Sequence, residues 1–237
     1  MALYADAVFA PLDLDLHLER IAGGNETEVY RTDDAQYVVK VKSEEAGSDQ
    51  AAWQQAKTLQ AAAAEFAAAV GPRHSIENAY FVARNSQGQA QVVAVQPFLS
   101  QAIALHDIDY TALTPQQRRK LAKELRNIIK LSLKMYLRNQ VMPDIYGRTS
   151  SSKAERKFLN QPYMLPWRLW SFIIKRNLLR SHNLMLTADQ QRVVLVDYDP
   201  VQRSKLYKLI YYTVRRLLFW RDYALIWLME KKGFVPN

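Results

Sequence analysis

Apolar and polar residues alternate over short stretches in the first hundred positions, a pattern typical of half-buried β-strands. This alternation predicts five strands, at 16–21, 29–31, 37–42, 79–84 and 90–95. A helical pattern at 49–70 lies between the third and fourth strands, and Gly71 and Pro72 follow it as a stop signal. The N-terminal part is therefore predicted to be a small antiparallel sheet with one helix.

Helical periodicity dominates the remainder of the chain. Thr114, with proline and glutamine at the positions of a capping box, opens a helix that runs to about Asn139. The last helical pattern, at 205–232, predicts one or two helices that are apolar on much of their circumference, and most of this stretch is expected to be buried. Two short apolar runs, at 184–186 and 193–196, enclose a polar turn and predict a second hairpin.

Composition limits the class of protein. A chain of 237 residues, of which 49% are hydrophobic, can bury a substantial core as one large domain or two small lobes. The absence of cysteine excludes a disulfide scaffold and a thiolate zinc site. The sequence shows neither a secretion signal nor a transmembrane helix, and we expect a cytoplasmic protein.

Charge is distributed unevenly along the chain. Residues 1–147 contain 15 Lys and Arg against 17 Asp and Glu, whereas residues 148–237 contain 17 against 6. The corresponding net charges are −2 and +11. A positive excess in one half predicts an anionic partner, such as a phosphate compound, a membrane surface or a nucleic acid.

Two oxygen-bearing side chains flank the second predicted hairpin. Asn183 immediately precedes its first strand, and Asp197 immediately follows its second. A hairpin brings these positions to the same end. Amide and carboxylate oxygens suit Mg²⁺, which usually keeps substrate phosphates as further ligands. The alternative is that both are turn residues without a ligand.

Asn183 and Asp197 are 14 positions apart, and at this spacing the stretch resembles the metal-binding segment of the protein-kinase-like superfamily. That superfamily includes aminoglycoside phosphotransferases and bacterial lipopolysaccharide-core kinases. The resemblance implies an α+β, two-lobe fold. Its N-lobe, at 1–98, would be a small antiparallel sheet with one helix, and its C-lobe, at 99–237, would be larger and mostly helical. In this fold Asn183 and Asp197 would hold Mg²⁺.

The N-terminal part carries further motifs in the order that the resemblance implies. A glycine-containing turn would cover the phosphates of ATP, and the strand at 37–42 resembles the V-A-I-K strand of kinases, with Lys40 directed at those phosphates. The segment 96–99 would be the hinge, whose backbone binds adenine. The residues expected at the nucleotide are Gly23, Gly24, Val29, Val38, Lys40, Gln96 and Phe98. The alternatives are an ordinary hairpin turn and a solvated strand lysine.

The helix at 49–70 departs from the family pattern. Kinases carry a glutamate there that pairs with the strand lysine, but here Gln55 is predicted on the inward face and Glu65 off it. A glutamine can hydrogen-bond the ammonium group of Lys40 but cannot balance its charge. This departure favours a pseudokinase over an enzyme.

Asp144 is, by chain order, the residue that would orient or deprotonate the acceptor hydroxyl. Lys40 is the other predicted catalytic residue. Counting five positions back from Asn183 reaches Leu178, so an insertion at 148–180 must separate Asp144 from Asn183. Asp144 as a turn residue after a proline is the alternative.

The insertion at 148–180 mixes basic residues with aromatic ones, including Trp167 and Trp170. This mixture suits contact with an anionic membrane or glycolipid. The alternative is an amphipathic helix that buries its aromatic residues and exposes a basic face.

The resemblance implies an ATP- and Mg²⁺-dependent phosphotransferase that acts on a hydroxyl of a small molecule, sugar or glycolipid, with a protein acceptor left open. A basic C-lobe disfavours a cationic aminoglycoside, and nucleic acid is not favoured as a partner. The competing hypothesis is a pseudokinase or binding module that acts through its basic surface on an anionic partner or membrane. A membrane contact would place the protein at the inner face.

Overall fold

A computed structural model describes most of the chain. Its described residues are 18–23, 27–42, 47–85, 87–147, 158, 161–189, 192–200 and 205–233. They divide into two compact units. The sheet unit consists of the described residues of 18–64 and 76–100, and the helical unit consists of those of 65–75, 101–147 and 158–233. The predicted boundary between residues 98 and 99 stays a prediction.

The sheet unit contains five antiparallel strands in the order β1-β2-β3-β5-β4. They are β1 (Glu19–Gly23), β2 (Thr27–Arg31), β3 (Tyr37–Lys42), β4 (Ala79–Arg84) and β5 (Ala90–Pro97). Helix α1 (Asp49–Val70) lies between β3 and β4 in the chain. The predicted antiparallel sheet with one helix is thus confirmed.

The two faces of this sheet carry different clusters. On one face Val82 and Val92 pack with Ala52, Ala56 and Leu59 of α1. The other face carries a second cluster, formed by buried Val39 and Val93 with partly buried neighbours. Successive strand residues point to opposite faces, so the alternation in the sequence explains both clusters.

Helix α2 (Pro115–Asn139) opens the larger part of the helical unit. Its predicted capping box is confirmed: Gln117 N donates to Thr114 Oγ1 over 3.3 Å, and Thr114 N donates to Gln117 Oε1 over 2.7 Å. At the middle of α2, Arg126 pairs with Glu230 over 2.5 Å. Near its end, the ring of Tyr136 lies 6.0 Å from that of Tyr212. The last helix of the chain therefore runs antiparallel to α2.

A second, three-stranded sheet in the same unit has the order β6-β7-β8. Its strands are β6 (Ile103–Ala104), β7 (Leu184–Leu186) and β8 (Val193–Leu195). The predicted second hairpin is confirmed as the antiparallel pair of β7 and β8. A short helix, α3 (Leu165–Trp170), precedes it and continues into a single π-helical turn at Ser171–Lys175.

Helix α4 (Lys205–Lys232) is only partly buried. Its buried residues are Tyr212, Arg215, Phe219, Asp222, Ile226 and Met229. Leu206, Leu217 and Trp220 are largely exposed, so the expectation that most of this helix is core was wrong. Among the described residues, no helix is long and apolar enough to cross a membrane.

Candidate active site

The β7–β8 hairpin places Asn183 and Asp197 at the same end of the small sheet. Leu184 pairs with Leu195, and the Val196 N–H donates to the Asn183 carbonyl over 2.9 Å, so the ladder extends one position beyond β7. Asp197 follows directly. Its Oδ1 accepts from Asp199 N over 3.1 Å, which helps to orient the carboxylate.

Asn183 also contacts the loop that follows α2. Its side-chain Nδ2 donates to the main-chain oxygen of Asp144 over 2.7 Å. Gly147 adopts a φ of +65°, and a Cβ atom built on it would lie 2.2 Å from Asn183 Oδ1. The amide is therefore held between Asp144 and Gly147, and its oxygen is the atom with lone pairs available for a cation. The structure thus joins Asn183 to Asp144 across the predicted insertion, while the roles of both residues stay predictions.

Ser181 links the loop after α2 to the start of β7 by hydrogen bonds. Its buried hydroxyl donates to the Ile145 carbonyl over 2.7 Å and accepts from Asn183 N at 3.1 Å and Leu184 N at 3.0 Å. Next to it, His182 N donates to the Tyr146 carbonyl over 3.0 Å. This role of Ser181 could not be predicted from the local sequence, because its partner Ile145 is 36 positions away.

A buried aspartate of α4 supports the same loop. Asp222 is fully buried, and it accepts from the Tyr146 hydroxyl over 2.5 Å, from Arg221 over 2.9 Å and from Leu178 N over 3.4 Å. Burial raises the pKa of Asp222 above its usual value despite the contact with Arg221. Tyr146 in turn donates its main-chain N–H to Asp144 Oδ1 over 3.1 Å. Asp222 therefore helps to position the Asp144 carboxylate through Tyr146, which hydrogen-bonds to both.

Two aromatic residues, buried Tyr146 and half-buried Tyr211, flank a second charge in this region. The guanidinium of Arg215 lies 3.8 Å from the ring centroid of Tyr146 and 5.3 Å from that of Tyr211. Burial opposes the charge of Arg215, but Tyr211 and then Asp144 hold its pKa above the usual value. Burial, and next the charge of Asp222, raises the pKa of Tyr146 well above normal. At neutral pH Tyr146 is thus a hydroxyl donor.

His182 adjoins this site with a perturbed imidazole. Burial, and next the neighbouring His106 ring 3.7 Å away, lowers the pKa of His182 to about 4. It is therefore neutral at physiological pH. Among the described residues, no group of three or more His, Cys, Asp or Glu side chains could hold a metal ion. A cation at this end of the hairpin would consequently depend on the Asn183 amide oxygen, the Asp197 carboxylate and oxygens from a ligand.

The predicted nucleotide residues of the sheet unit fall into rows across its strands. Lys40 pairs with Val29 on β2 and with Ala94 on β5, and Val38 pairs with Gln96. Directly paired residues share a face, and this face is the one against which α1 packs. Gly23 ends β1 opposite Glu28, whereas Gly24 lies outside the described residues.

The Gln96 side-chain oxygen and the Phe98 N–H differ in their hydrogen bonding. Gln96 is 5% exposed, and its Oε1 has no hydrogen-bond partner within the described part of the chain. The Phe98 N–H donates to the Gln36 carbonyl over 2.7 Å, and the expected contact of the backbone at 96–99 with adenine stays a prediction. The Phe98 ring instead contacts Arg31, 5.6 Å from its centroid.

The α1 residues lie as their periodicity predicts. Gln55 is half-buried beside the buried positions Ala52, Ala56 and Leu59. Glu65 is exposed and accepts a hydrogen bond from Asn139. Glu65 is thus directed away from the buried stripe of α1.

The basic insertion is described only in its second half. Residues 148–157, 159 and 160 lie outside the described residues. Trp167 is 46% exposed and Trp170 is 53% exposed, so the alternative that both are buried was wrong.

Comparisons with known proteins found similar solved structures. No family model and no curated protein matches the chain. A spectinomycin phosphotransferase, solved with ADP and spectinomycin, is 15% identical, with 94% of this chain and 79% of that chain covered and a TM-score of 0.40. An aminoglycoside phosphotransferase from Streptomyces rimosus is 14% identical, with 97% and 89% covered and a TM-score of 0.40. A MAP kinase from Leishmania major is 9% identical, with 83% and 50% covered and a TM-score of 0.41.

Proposed function

We propose that this protein is an ATP-dependent phosphotransferase that transfers the γ-phosphoryl group to a hydroxyl of a small molecule, sugar or glycolipid. The observation that carries the proposal is the position of the Asn183 amide. It is fixed between Asp144 and Gly147 and lies at the same end of the hairpin as Asp197. A carboxylate for the acceptor and oxygen atoms for a cation thus belong to one preorganised loop pair, which is what phosphoryl transfer requires.

Asp144 would act on the acceptor. Its carboxylate is half-buried and held by the Tyr146 N–H, so it can accept a hydrogen bond from an acceptor hydroxyl and take its proton as phosphate is transferred. A protein hydroxyl remains a second possible acceptor. The basic C-terminal half suits an anionic sugar or glycolipid better than a cationic aminoglycoside.

The residues present fit Mg²⁺ by the chemistry of their oxygens. Asn183 Oδ1 and the Asp197 carboxylate would hold the ion, which prefers such ligands and leaves places for phosphate oxygens. When bound, Mg²⁺ would neutralise charge on the transferred phosphate. Asp199 N and Asp144 O keep the two side chains oriented.

The sheet unit would bind the nucleotide. Lys40, in the row of Val29 and Ala94, would contact phosphates, and Val38 would pack against the base. The buried Oε1 of Gln96 could accept from the adenine amine, and satisfying such a group is worth about 1–3 kcal/mol. Gly23 and Gly24 would approach the phosphates through their backbone.

The second candidate is a pseudokinase or binding module that acts through its basic surface. The half-buried Gln55 lies where the resemblance expects a glutamate, and it favours this second function because a glutamine carries no charge to balance that of a strand lysine. Either function would place the protein in the cytoplasm, with contact at the inner face of an anionic membrane.

Mg²⁺ with ATP is expected to raise the melting temperature by roughly 5–10 °C at about a hundred times its Kd, since a ligand of the folded state then stabilises by about 2.7 kcal/mol. Asp197→Asn should remove most of the part of this rise that depends on Mg²⁺, because the ion loses a charged ligand. The control is Asp189→Asn, in the turn at the other end of the same hairpin, which should keep the shift. If the unmodified protein shows no shift at millimolar Mg²⁺-ATP, nucleotide binding is wrong.

Asp144→Asn is expected to lower phosphate transfer, or background ATP hydrolysis, at least about 100-fold while leaving the Mg²⁺-ATP melting shift nearly intact. The new amide oxygen can still accept from Tyr146 N, and the main-chain carbonyl still accepts from Asn183, so the loop is preserved. Lys40→Ala should weaken both binding and turnover, whereas Lys42→Ala, two positions along the same strand, serves as its control. Nucleotide binding without turnover in the unmodified protein would favour the pseudokinase.

A further inference from the structure

Helix α4 exposes a second apolar face, opposite to the one that it buries. Six large apolar side chains on it are between 51% and 79% exposed: Leu206, Leu209, Ile210, Leu217, Trp220 and Trp227. At about 100° per residue they fall within one arc of roughly 100°, and at 1.5 Å per residue they span about 30 Å of helix. The buried positions, among them Phe219 and Ile226, lie on the opposite side. This exposed arc is called the outer face of α4.

Basic residues border the outer face on both sides. By the same helical geometry, Lys205 and Arg216 lie along one border, and Arg221 and Lys232 lie along the other. The two acidic residues of α4 are directed elsewhere: Asp222 is fully buried, and Glu230 pairs with Arg126. The outer face therefore combines an apolar centre with cationic edges.

The π-helical turn after α3 extends this apolar surface. Arg221 donates from Nη1 to the Ile173 carbonyl and from Nη2 to the Arg176 carbonyl, the latter over 2.7 Å. These bonds hold the turn beside the border of the outer face. Exposed apolar residues in and before the turn are Trp167, Trp170, Ile173 and Ile174. The apolar surface thus involves two adjacent segments.

We propose that the outer face of α4, together with the turn at Ser171–Lys175, binds an anionic lipid surface, with α4 lying in the plane of the interface. Tryptophan side chains are favoured at the boundary between headgroups and acyl chains, and basic residues beside an apolar face are attracted to anionic headgroups. A second copy of the chain fits less well, because it would bring two sets of Lys and Arg borders together. A nucleic acid would contact the basic residues but would leave the six apolar side chains exposed to water.

This inference does not depend on the phosphotransferase proposal, since Asp144, Asn183 and Asp197 take no part in it. It keeps part of the sequence expectation, which assigned membrane contact to 148–180, and adds α4, most of which that expectation placed in the core. A membrane position would bring the helical unit to a surface where glycolipid hydroxyls are concentrated.

Co-sedimentation with vesicles tests the proposal on the full chain. With phosphatidylcholine vesicles containing about 30% phosphatidylglycerol, we expect binding at low salt that weakens as the Debye length falls to about 8 Å at physiological ionic strength. Vesicles of phosphatidylcholine alone should bind at least about tenfold more weakly. Tryptophan fluorescence should shift to shorter wavelength on binding, a readout that needs no variant.

The matched variants separate apolar insertion from charge. Leu217→Ser with Trp220→Ser should raise the lipid concentration for half-binding about tenfold or more without lowering the melting temperature, because both side chains are exposed. Leu137→Ser, which removes a 69% exposed leucine of α2, should bind as the unmodified protein does.

Two results overturn the proposal. One is the absence of both sedimentation and fluorescence change at low salt, and the other is equal vesicle binding by the double variant and the unmodified protein. If light scattering shows a dimer that the double variant dissociates, and neither protein binds vesicles, the outer face binds a second copy instead of lipid.

Discussion

Gly147→Ala is expected to abolish the Mg²⁺-ATP melting shift and to destabilise the fold by about 2–5 kcal/mol. Two costs add up. A left-handed φ of +65° disfavours any residue with a Cβ, and that Cβ would lie 2.2 Å from Asn183 Oδ1 and 3.0 Å from Asn183 N. Because the neighbouring atoms include backbone, the contact cannot be relieved by a side-chain rotation alone. The Asn183 amide must therefore move away from Asp144.

Thermal unfolding with and without Mg²⁺-ATP measures both effects, and we expect the melting temperature to fall by roughly 5–15 °C. Gly71→Ala is the matched control, since Gly71 has a φ of +76° but no atom within 4 Å of its added Cβ. Gly71→Ala should lose only the stability that a left-handed φ costs a residue with a Cβ atom. In a double variant, Asn183→Ala should restore part of the stability lost in Gly147→Ala without restoring the nucleotide shift. A Gly147→Ala protein that keeps the full shift would contradict the proposed role of Asn183.

The β7–β8 hairpin shows which part of the site local sequence could predict. The two apolar runs and the polar turn between them determine the pairing of Leu184 with Leu195, and that pairing alone brings Asn183 and Asp197 to one end. The five strands of the sheet unit follow from the same kind of alternation. These features depend on neighbours within a few residues, so a single sequence contains their signal.

The contact between Asn183 and Asp144 could be proposed only by chain order. The two residues are 39 positions apart, and no periodicity connects the loop after α2 with the start of β7. Ser181 and Gly147 carry a signal only in retrospect: a glycine next to Tyr146 and a serine before His182 are ordinary loop residues until their contacts are known. Long-range hydrogen bonds are thus the part of the site that the pattern did not predict.

Helix α4 illustrates a different limit. A helix that is apolar around most of its circumference is usually buried, and this rule led to the wrong expectation for Leu206, Leu217 and Trp220. The rule cannot distinguish a helix inside a core from one with a core on one side and a lipid or protein surface on the other. Only the partners of Phe219 and Asp222 determine which face is turned inward.

The connection from Asp222 to Asp144 leads to a second large effect. Asp222→Ala is expected to lower stability by about 3–5 kcal/mol, because it leaves the Tyr146 hydroxyl and the Leu178 N–H buried without an acceptor and removes the carboxylate beside Arg221. In urea this should appear as a lower midpoint with a similar slope. Asp222→Asn keeps an oxygen acceptor and should cost less.

Tyr146→Phe distinguishes positioning from stability. It removes only the hydroxyl that reaches Asp222 and retains the main-chain N–H that holds the Asp144 carboxylate. We expect a smaller loss of stability than in Asp222→Ala and, in the transfer assay, a lower kcat with a nearly unchanged KM for ATP, because the acceptor side alone loses its support. Equal falls in nucleotide binding and turnover would mean that Tyr146 maintains the fold of the helical unit without a specific effect on Asp144. The comparison is made at a temperature where both variants are folded, so that the kinetic difference reports the position of the carboxylate.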